Sequence, residues 1–305
     1  MNRRSFVQSG VLSVAGAGIG MARTSERQTQ MQGATFKLNY APHFGMFASL
    51  AGRDLLDQLQ FMYDEGFRAF EDNEMRNRPV ETQEAIASRL GSLGMQMGVF
   101  VAHTIDWSEP GLVDSDKHER FLSEVRSSVD VAKRVNATWM TVVPGHVNLR
   151  IDPALQTANV IDVLRRACDI LEPHELVMVL EPLNFRDHPG QFLTSVPQAF
   201  EICKAVNSPS CRILNDLYHQ QIQVGNLIPN LDAAWSQTAY FQIGDNPGRK
   251  EPGTGEINYL NVFGHIHSKG YTGILGMEHG MVGSGKEGER ALIEAYREVD
   301  SFAAD

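Results

Sequence analysis

The sequence predicts an α/β fold of the (β/α)8 TIM barrel type, and three observations lead there. From Phe36 onward, eight short apolar runs alternate with amphipathic stretches. Runs such as Val177-Met178-Val179-Leu180 are apolar at every position, as expected of parallel strands covered on both faces. Polar residues, several of them carboxylates, end the later runs, at the end of the strands where a barrel of this kind builds its active site. A doubly wound open sheet is the competing architecture, but it usually carries a glycine-rich phosphate turn after an early strand, and none is present.

The expected strands cover residues 37–41, 69–72, 96–102, 139–144, 176–183, 212–217, 240–244 and 273–278. Between them, Leu55, Leu59 and Met62 fall on one helical face, as do Phe121, Val125, Val129 and Ala132. Helix starts are marked too. Asp152 before Pro153 reads as an N-cap followed by N1, and Asp116 with Glu119 has capping-box spacing. No Pro/Ser-rich linker or charge block interrupts the alternation, so residues 33–305 are expected to form a single barrel domain.

Residues 1–32 differ from the rest. Asn2-Arg3-Arg4-Ser5-Phe6-Val7, a mildly apolar run from Val11 to Ala22 and a polar tract from Thr24 to Gln32 resemble a twin-arginine export signal with a flexible leader. The apolar run is short and Gly-rich against the roughly 20 residues that a membrane span needs. Gly20-Met21-Ala22 offers cleavage after Ala22. The expectation is a periplasmic or exported protein, or one anchored at that membrane face, with the twin-arginine export machinery as a partner.

With 27 basic against 37 acidic residues the formal net charge is −10, and no basic run or aromatic-interleaved basic patch occurs, which argues against nucleic acid as a partner. Cys168, Cys203 and Cys211 lack C-x-x-C spacing and sit among apolar neighbours, so they read as small core residues. Exposed helix faces of a barrel and oligomer interfaces share a composition, which leaves a homo-oligomer open.

The chemistry is expected at the strand ends. Glu181, Asp216, Gln242 and Glu278 end or close the last four strands, and Glu71 and His103 close the second and third. Three carboxylates converging on one cavity repel one another unless a cation compensates. An all-oxygen donor set favours Mg²⁺ or Mn²⁺ over Zn²⁺ or copper. The alternative is a carboxylate network neutralised by Arg249, Arg186 and Lys250. His43, His103 and His146 are candidates to line the mouth, whereas His265 and His267, two apart on a helix, do not share a face. The Pro252-Gly253-Thr254-Gly255 segment reads equally as a plain turn or as a substrate loop, and Glu256 as an acid in the first turn of the next helix.

Three segments carry a family resemblance: Leu180-Glu181-Pro182-Leu183-Asn184 with Asp187 and Pro189-Gly190; Asp216-Leu217-Tyr218-His219; and Gln242-Ile243 through Asp245-Asn246-Pro247 to Glu251-Pro252-Gly253-Thr254-Gly255-Glu256-Ile257-Asn258-Tyr259. Together they resemble the hydroxypyruvate isomerase family of the xylose isomerase-like barrels, densely over residues 176–278 and more loosely through Gly66-Phe67 and Phe70-Glu71. The resemblance implies that Glu181 and Glu278 form the acid/base pair and bind the metal with Asp216 and Gln242. His219 and Arg249 would hold the substrate, with Asp187, His103 and Glu71 as further contacts. The implied reaction interconverts hydroxypyruvate and tartronate semialdehyde, or a related hydroxy-keto acid or keto-sugar pair. Alternatives are a keto-sugar 3-epimerase or keto-glycoside lyase on the same scaffold, and a non-catalytic periplasmic sugar-acid binding protein. Epimerases of this superfamily more often have His where Gln242 stands. Where the family commonly has Tyr and then Lys-Pro after the last strand's Glu, this chain has His279-Gly280-Met281, which predicts a different stretch of substrate wall.

Overall fold

Parallel strands need crossover connections of a dozen or more residues, and each apolar run here is followed by a stretch long enough to supply one. In the computed structural model, which describes residues 35–303, the eight runs form eight parallel strands. They are β1 Asn39–Ala41, β2 Ala69–Phe70, β3 Gln96–Met97, β4 Trp139–Val142, β5 Val177–Leu180, β6 Cys211–Asp216, β7 Thr238–Gln242 and β8 Ile274–Gly276. Six pair side by side in the order β1-β8-β7-β6-β5-β4, and β2 pairs with β3. Backbone hydrogen bonds outside the regular pairing complete the ring. Glu71 N donates to Pro42 O at 3.1 Å beyond the ends of β1 and β2, and Thr141 N donates to Phe100 O at 2.8 Å between β4 and the segment after β3.

The described residues belong to one compact unit. The export signal expected over residues 1–32 lies outside them. Among the described residues no helix is long and apolar enough to cross a membrane.

The third strand is shorter than expected, and packing explains why. A side chain at Gly98 would put its Cβ 2.4 Å from Tyr240 Oη, and Val99 N turns to that hydroxyl at 3.4 Å, so regular pairing stops at Met97. Toward β4, bridges join Met97 to Ala137 and Val101 to Thr141.

The helical faces are where the spacing places them. Leu59 and Met62 are buried on the helix Leu55–Asp64, whose first turn is capped by Asp54. Phe121, Val125, Val129 and Ala132 are buried on the helix His118–Val135. Asp152 accepts from Ala154 N and caps the helix Pro153–Leu171. The capping box at Asp116 and Glu119 does not form. Asp114, in extended conformation, accepts from Asp116 N and opens a short 3-10 turn that leads into the helix, while Glu119 reaches out to Arg166. Cys168, Cys203 and Cys211 are buried free thiols.

Two hydrophobic layers result. The larger fills the space between strands and helices, and a smaller plug of Ala41, Ala69, Val99, Val179, Leu214, Tyr240 and Ile274 fills the barrel itself. Above the plug sits Glu71, only 1% exposed, accepting from Tyr240 Oη at 2.9 Å. Its carboxyl occupies the room that Gly276 leaves: a Cβ there would stand 1.9 Å from Glu71 Oε2. Gly276→Ala should therefore overpack the interior and cost about 1–3 kcal/mol. Thermal denaturation checks this, and an unchanged Tm would show that Glu71 is free to move aside.

Candidate active site

Side chains alternate between the two faces of a strand, so every second residue beyond the plug must point into the mouth. Val179 is followed by Glu181, Leu214 by Asp216 and Tyr240 by Gln242. Two steps beyond Ile274, Ala69 and Val99 come Glu278, Asn73 and His103. The expected strand-end residues are thus brought to one end of the barrel.

Glu181, Asp216 and Gln242 are buried, and the Glu278 side chain is 26% exposed. Burial pushes the Glu181 and Glu71 carboxyls well above the usual range, and the nearby Glu278 charge adds to both shifts. Burial also raises Glu278, against the pull of Arg249. Arg249 is the cation that reaches these groups: its Nη2 donates to Glu278 Oε2 at 2.7 Å and to Asp216 Oδ2 at 3.1 Å. Arg186, expected to share that task, is exposed beside the Phe185 ring. Asp216 also caps the helix Leu217–Gln223, its Oδ1 accepting from Tyr218 N at 2.8 Å and His219 N at 3.4 Å.

Glu181, Asp216 and His219 place ligand atoms all within 4.8 Å of one another and could hold a metal ion. The donor set fits a hard divalent cation, because Gln242 adds a buried Oε1 with no hydrogen-bond partner on the protein. The role of His219 follows from its neighbour. Asn184 Oδ1 accepts from Arg186 N and Asp187 N, both at 2.9 Å, which fixes its amide and turns Nδ2 toward His219 Nδ1 at 2.6 Å. Nδ1 therefore accepts. Burial lowers the pKa of His219 to about 4, so the ring is neutral and its proton sits on Nε2. Nε2 lies 3.5 Å from Asp216 and 3.7 Å from Glu181 and presents its hydrogen toward those carboxylates.

The loop after β7 is built around Asp245, which is fully buried. Its Oδ2 accepts from Gly253 N at 2.9 Å and Gly255 N at 2.8 Å, and its Oδ1 from Ile257 N at 3.1 Å. The glycines are required by this wrapping, since a Cβ at Gly255 would meet Asn246 O at 2.2 Å. Glu251 accepts from Val282 N at 2.9 Å and ties this loop to the one after β8. Pro252 to Gly255 thus serves as a scaffold for Arg249. Glu256 is not a first-turn acid: Asn258 caps the helix Tyr259–Ser268, and Glu256 accepts from Asn246 Nδ2 at 2.7 Å.

The remaining candidates are placed as follows. Glu71, expected on the substrate, lies beneath the mouth and accepts from Gln242 Nε2 at 3.4 Å. Asp187 is at the rim, held by Tyr218 Oη at 2.7 Å. His103 is 7% exposed, with Nδ1 on Thr104 O and a pKa lowered by burial to about 4. His43 and His146 are half-buried near the rim loops. His279 turns away from the mouth and stacks on Tyr296, so its departure from the family pattern alters packing behind the wall. His265 pairs with Asp232 and His267 packs on Phe302, apart from each other. The sequence reading missed Asn73, whose Nδ2 donates to Glu278 Oε1 at 2.9 Å; the period-two step from Glu71 could have found it.

Eight parallel strands with a carboxylate-rich mouth able to take a cation define a class of barrel. The chain belongs to the family described as xylose isomerase-like TIM barrel, which matches residues 59–299. It is 30% identical to hydroxypyruvate isomerase of Escherichia coli K12 over 163 residues, 53% of this chain and 63% of that protein. It is 29% identical to 2-oxo-tetronate isomerase of Cupriavidus necator over 73% of this chain and 86% of that one. Among solved structures, it is similar to a family 2 AP endonuclease from Brucella melitensis, at 26% identity and TM-score 0.73 over 82% of this chain and 96% of that one.

Two outcomes are expected. Asp245→Ala should release the loop that carries Arg249 and lower Tm by several degrees, an effect of about 2–4 kcal/mol if the freed amides stay buried; an unaltered Tm would sink the scaffold role. The second concerns pH. A carboxyl whose folded pKa is raised contributes stability that is full below its unfolded value near 4.5 and is lost as pH rises toward the folded value. Buried His103, His219 and His279, lowered to about 4, act in the opposite direction, but only between about 4 and 6.5. The gap in Tm between the Mg²⁺- or Mn²⁺-loaded and the chelator-treated protein should therefore widen as pH rises from about 4.5. A metal-independent, flat profile there would contradict the charge balance described.

Proposed function

We propose that this protein is a divalent-metal-dependent isomerase that interconverts an α-hydroxy ketone and an α-hydroxy aldehyde, with hydroxypyruvate and tartronate semialdehyde as the smallest pair of the class. The observation that carries this reading is the pair of carboxylates, Glu181 just after β5 and Glu278 just after β8, flanking Asp216 and Gln242 at the barrel mouth. Similarity to hydroxypyruvate and 2-oxo-tetronate isomerases supports it.

The two glutamates have unequal surroundings, and that inequality divides the work. Glu278 is held toward its charged form by Arg249 and Asn73, which suits it to remove a proton from the hydroxymethyl carbon. Glu181, at the other end of the row from Glu278, is placed to return a proton to the adjacent carbon. One hydroxyl proton also passes between the neighbouring oxygens, so the product is an isomer with nothing gained or lost. His219 Nε2–H would donate to the oxygen on which negative charge grows. Arg249 would pair with a substrate carboxylate in the fork geometry that Lys lacks. Glu181, Asp216, Gln242 and Glu278 would hold Mg²⁺ or Mn²⁺, which would supply polarisation of the carbonyl. The N-terminal sequence leads us to propose that the reaction takes place after twin-arginine export, in the periplasm.

Proton NMR in D₂O with hydroxypyruvate and Mg²⁺ or Mn²⁺ tests the reaction. Wild type should form tartronate semialdehyde, and Glu278→Gln or Glu181→Gln should lower kcat by about 10²–10⁴ while ligand binding persists. Ligand binding without turnover in wild type would favour the non-catalytic binding protein, and turnover of keto sugars alone would favour the epimerase reading.

A further inference from the structure

Glu71 lies beneath Gln242 rather than on the substrate side, and what holds it there gives it a different task. On β7, Gln242 pairs in register with Gly276 of β8. Because Gly276 has no side chain, the carboxyl of Glu71 comes in from the end of β2 and fills that room beside Gln242. Tyr240, two residues before Gln242 on the same strand, fixes it from below. Tyr240 Oη donates to Glu71 Oε2 at 2.9 Å, Val99 N donates to Tyr240 Oη at 3.4 Å, and Gly98 leaves the hydroxyl its space.

With Oε2 engaged by Tyr240, Glu71 Oε1 is the acceptor left to face Gln242, and Gln242 Nε2 donates to it at 3.4 Å. A proton held by this carboxyl sits on the Tyr240 side, so Oε1 accepts in either state. A carboxamide has donors at one end and an acceptor at the other, and this contact decides which end turns away from Glu71. Oε1 does, and it is buried with no hydrogen-bond partner on the protein. For the protein alone this is the costlier orientation. Asp216 is in register with Gln242 across the sheet, and amide hydrogens would suit a carboxylate better than an oxygen does. Turning the amide over would instead set its oxygen against Glu71 Oε1, acceptor against acceptor, in room fixed by Tyr240 and Gly276. An amide oxygen presented among carboxylates is what a hard cation needs.

We propose that Glu71 is a positioning residue for metal binding, holding Gln242 by its Nε2 so that Oε1 is offered to the cation that Glu181, Asp216 and Glu278 also bind. Glu71 itself touches neither metal nor substrate. The inference rests on the reading that Gln242 is one of the ligands.

The test titrates Mn²⁺ into the chelator-treated protein and reads the free aquo ion by electron paramagnetic resonance, with circular dichroism to confirm the folding of each variant. Wild type should bind Mn²⁺ and Gln242→Ala should weaken it. Glu71→Leu, similar in volume and without an acceptor, should weaken Mn²⁺ about tenfold or more. Glu71→Gln supplies an oxygen for Gln242 Nε2 and a donor for Tyr240 Oη, and should stay within about threefold of wild type. Glu71→Leu combined with Gln242→Ala should be no weaker than Gln242→Ala alone. If Glu71→Leu does not fold, Tyr240→Phe replaces it, with Mn²⁺ expected about threefold weaker and wild-type affinity counting against the role. Unchanged affinity in a folded Glu71→Leu, beside a loss in Gln242→Ala, overturns the positioning alone. A loss in Glu71→Gln equal to that in Glu71→Leu overturns it too, because charge rather than orientation would then matter. Full Mn²⁺ affinity in Gln242→Ala removes the ligand and the inference together. The expected pattern of affinities, beside no turnover of hydroxypyruvate by wild type, upholds the positioning and overturns the reaction instead.

Discussion

Four carboxyl groups, Glu71, Glu181, Asp216 and Glu278, crowd one end of the barrel, and among the described residues the guanidinium of Arg249 answers them. At about 4 Å and an effective dielectric near 20, a pair of like charges costs roughly 4 kcal/mol, more than a typical hydrogen bond returns. The barrel handles the excess in two ways. Glu71 is sunk among Tyr240, Gly98 and Gly276, where holding a proton costs less than holding a charge. The others stay at the mouth, where a cation can settle the balance. The small residues of the interior, the shortened third strand and the fixed amide of Asn184 all follow from fitting these groups into one cavity.

The loop that carries Arg249 shows the same economy. Arg249 adopts a left-handed backbone conformation with φ of 50°, which costs a non-glycine residue about 1–2 kcal/mol. Asp245 offsets this by collecting the amides of Gly253, Gly255 and Ile257, and Asp245 N donates to Lys250 O at 2.8 Å. Gly280 N donates to Arg249 O at 3.0 Å, so the guanidinium is braced from β7 and from β8 at once.

Much of this was legible in the sequence, for a physical reason. Buried parallel strands are uniformly apolar, so a single Glu or Asp at the end of one stands out, and Glu181, Asp216 and Glu278 announced themselves. That uniformity also hides which face of each strand looks inward, and Asn73, whose type is common in turns, went unnoticed. The capping box at Asp116 failed because Asp114, two residues earlier, caps a 3-10 turn that already contains Asp116. The tautomer of His219 and the stacking of Trp107 on His188 depend on segments far apart in the chain that meet only once the ring is closed.

The plug beneath Glu71 leaves the barrel without a passage along its axis. Small molecules and ions must enter and leave by the same opening, in sequence rather than independently. The order of arrival and departure is thereby written into the architecture, with Ala41, Ala69, Val99 and Ile274 as the closed back wall that imposes it.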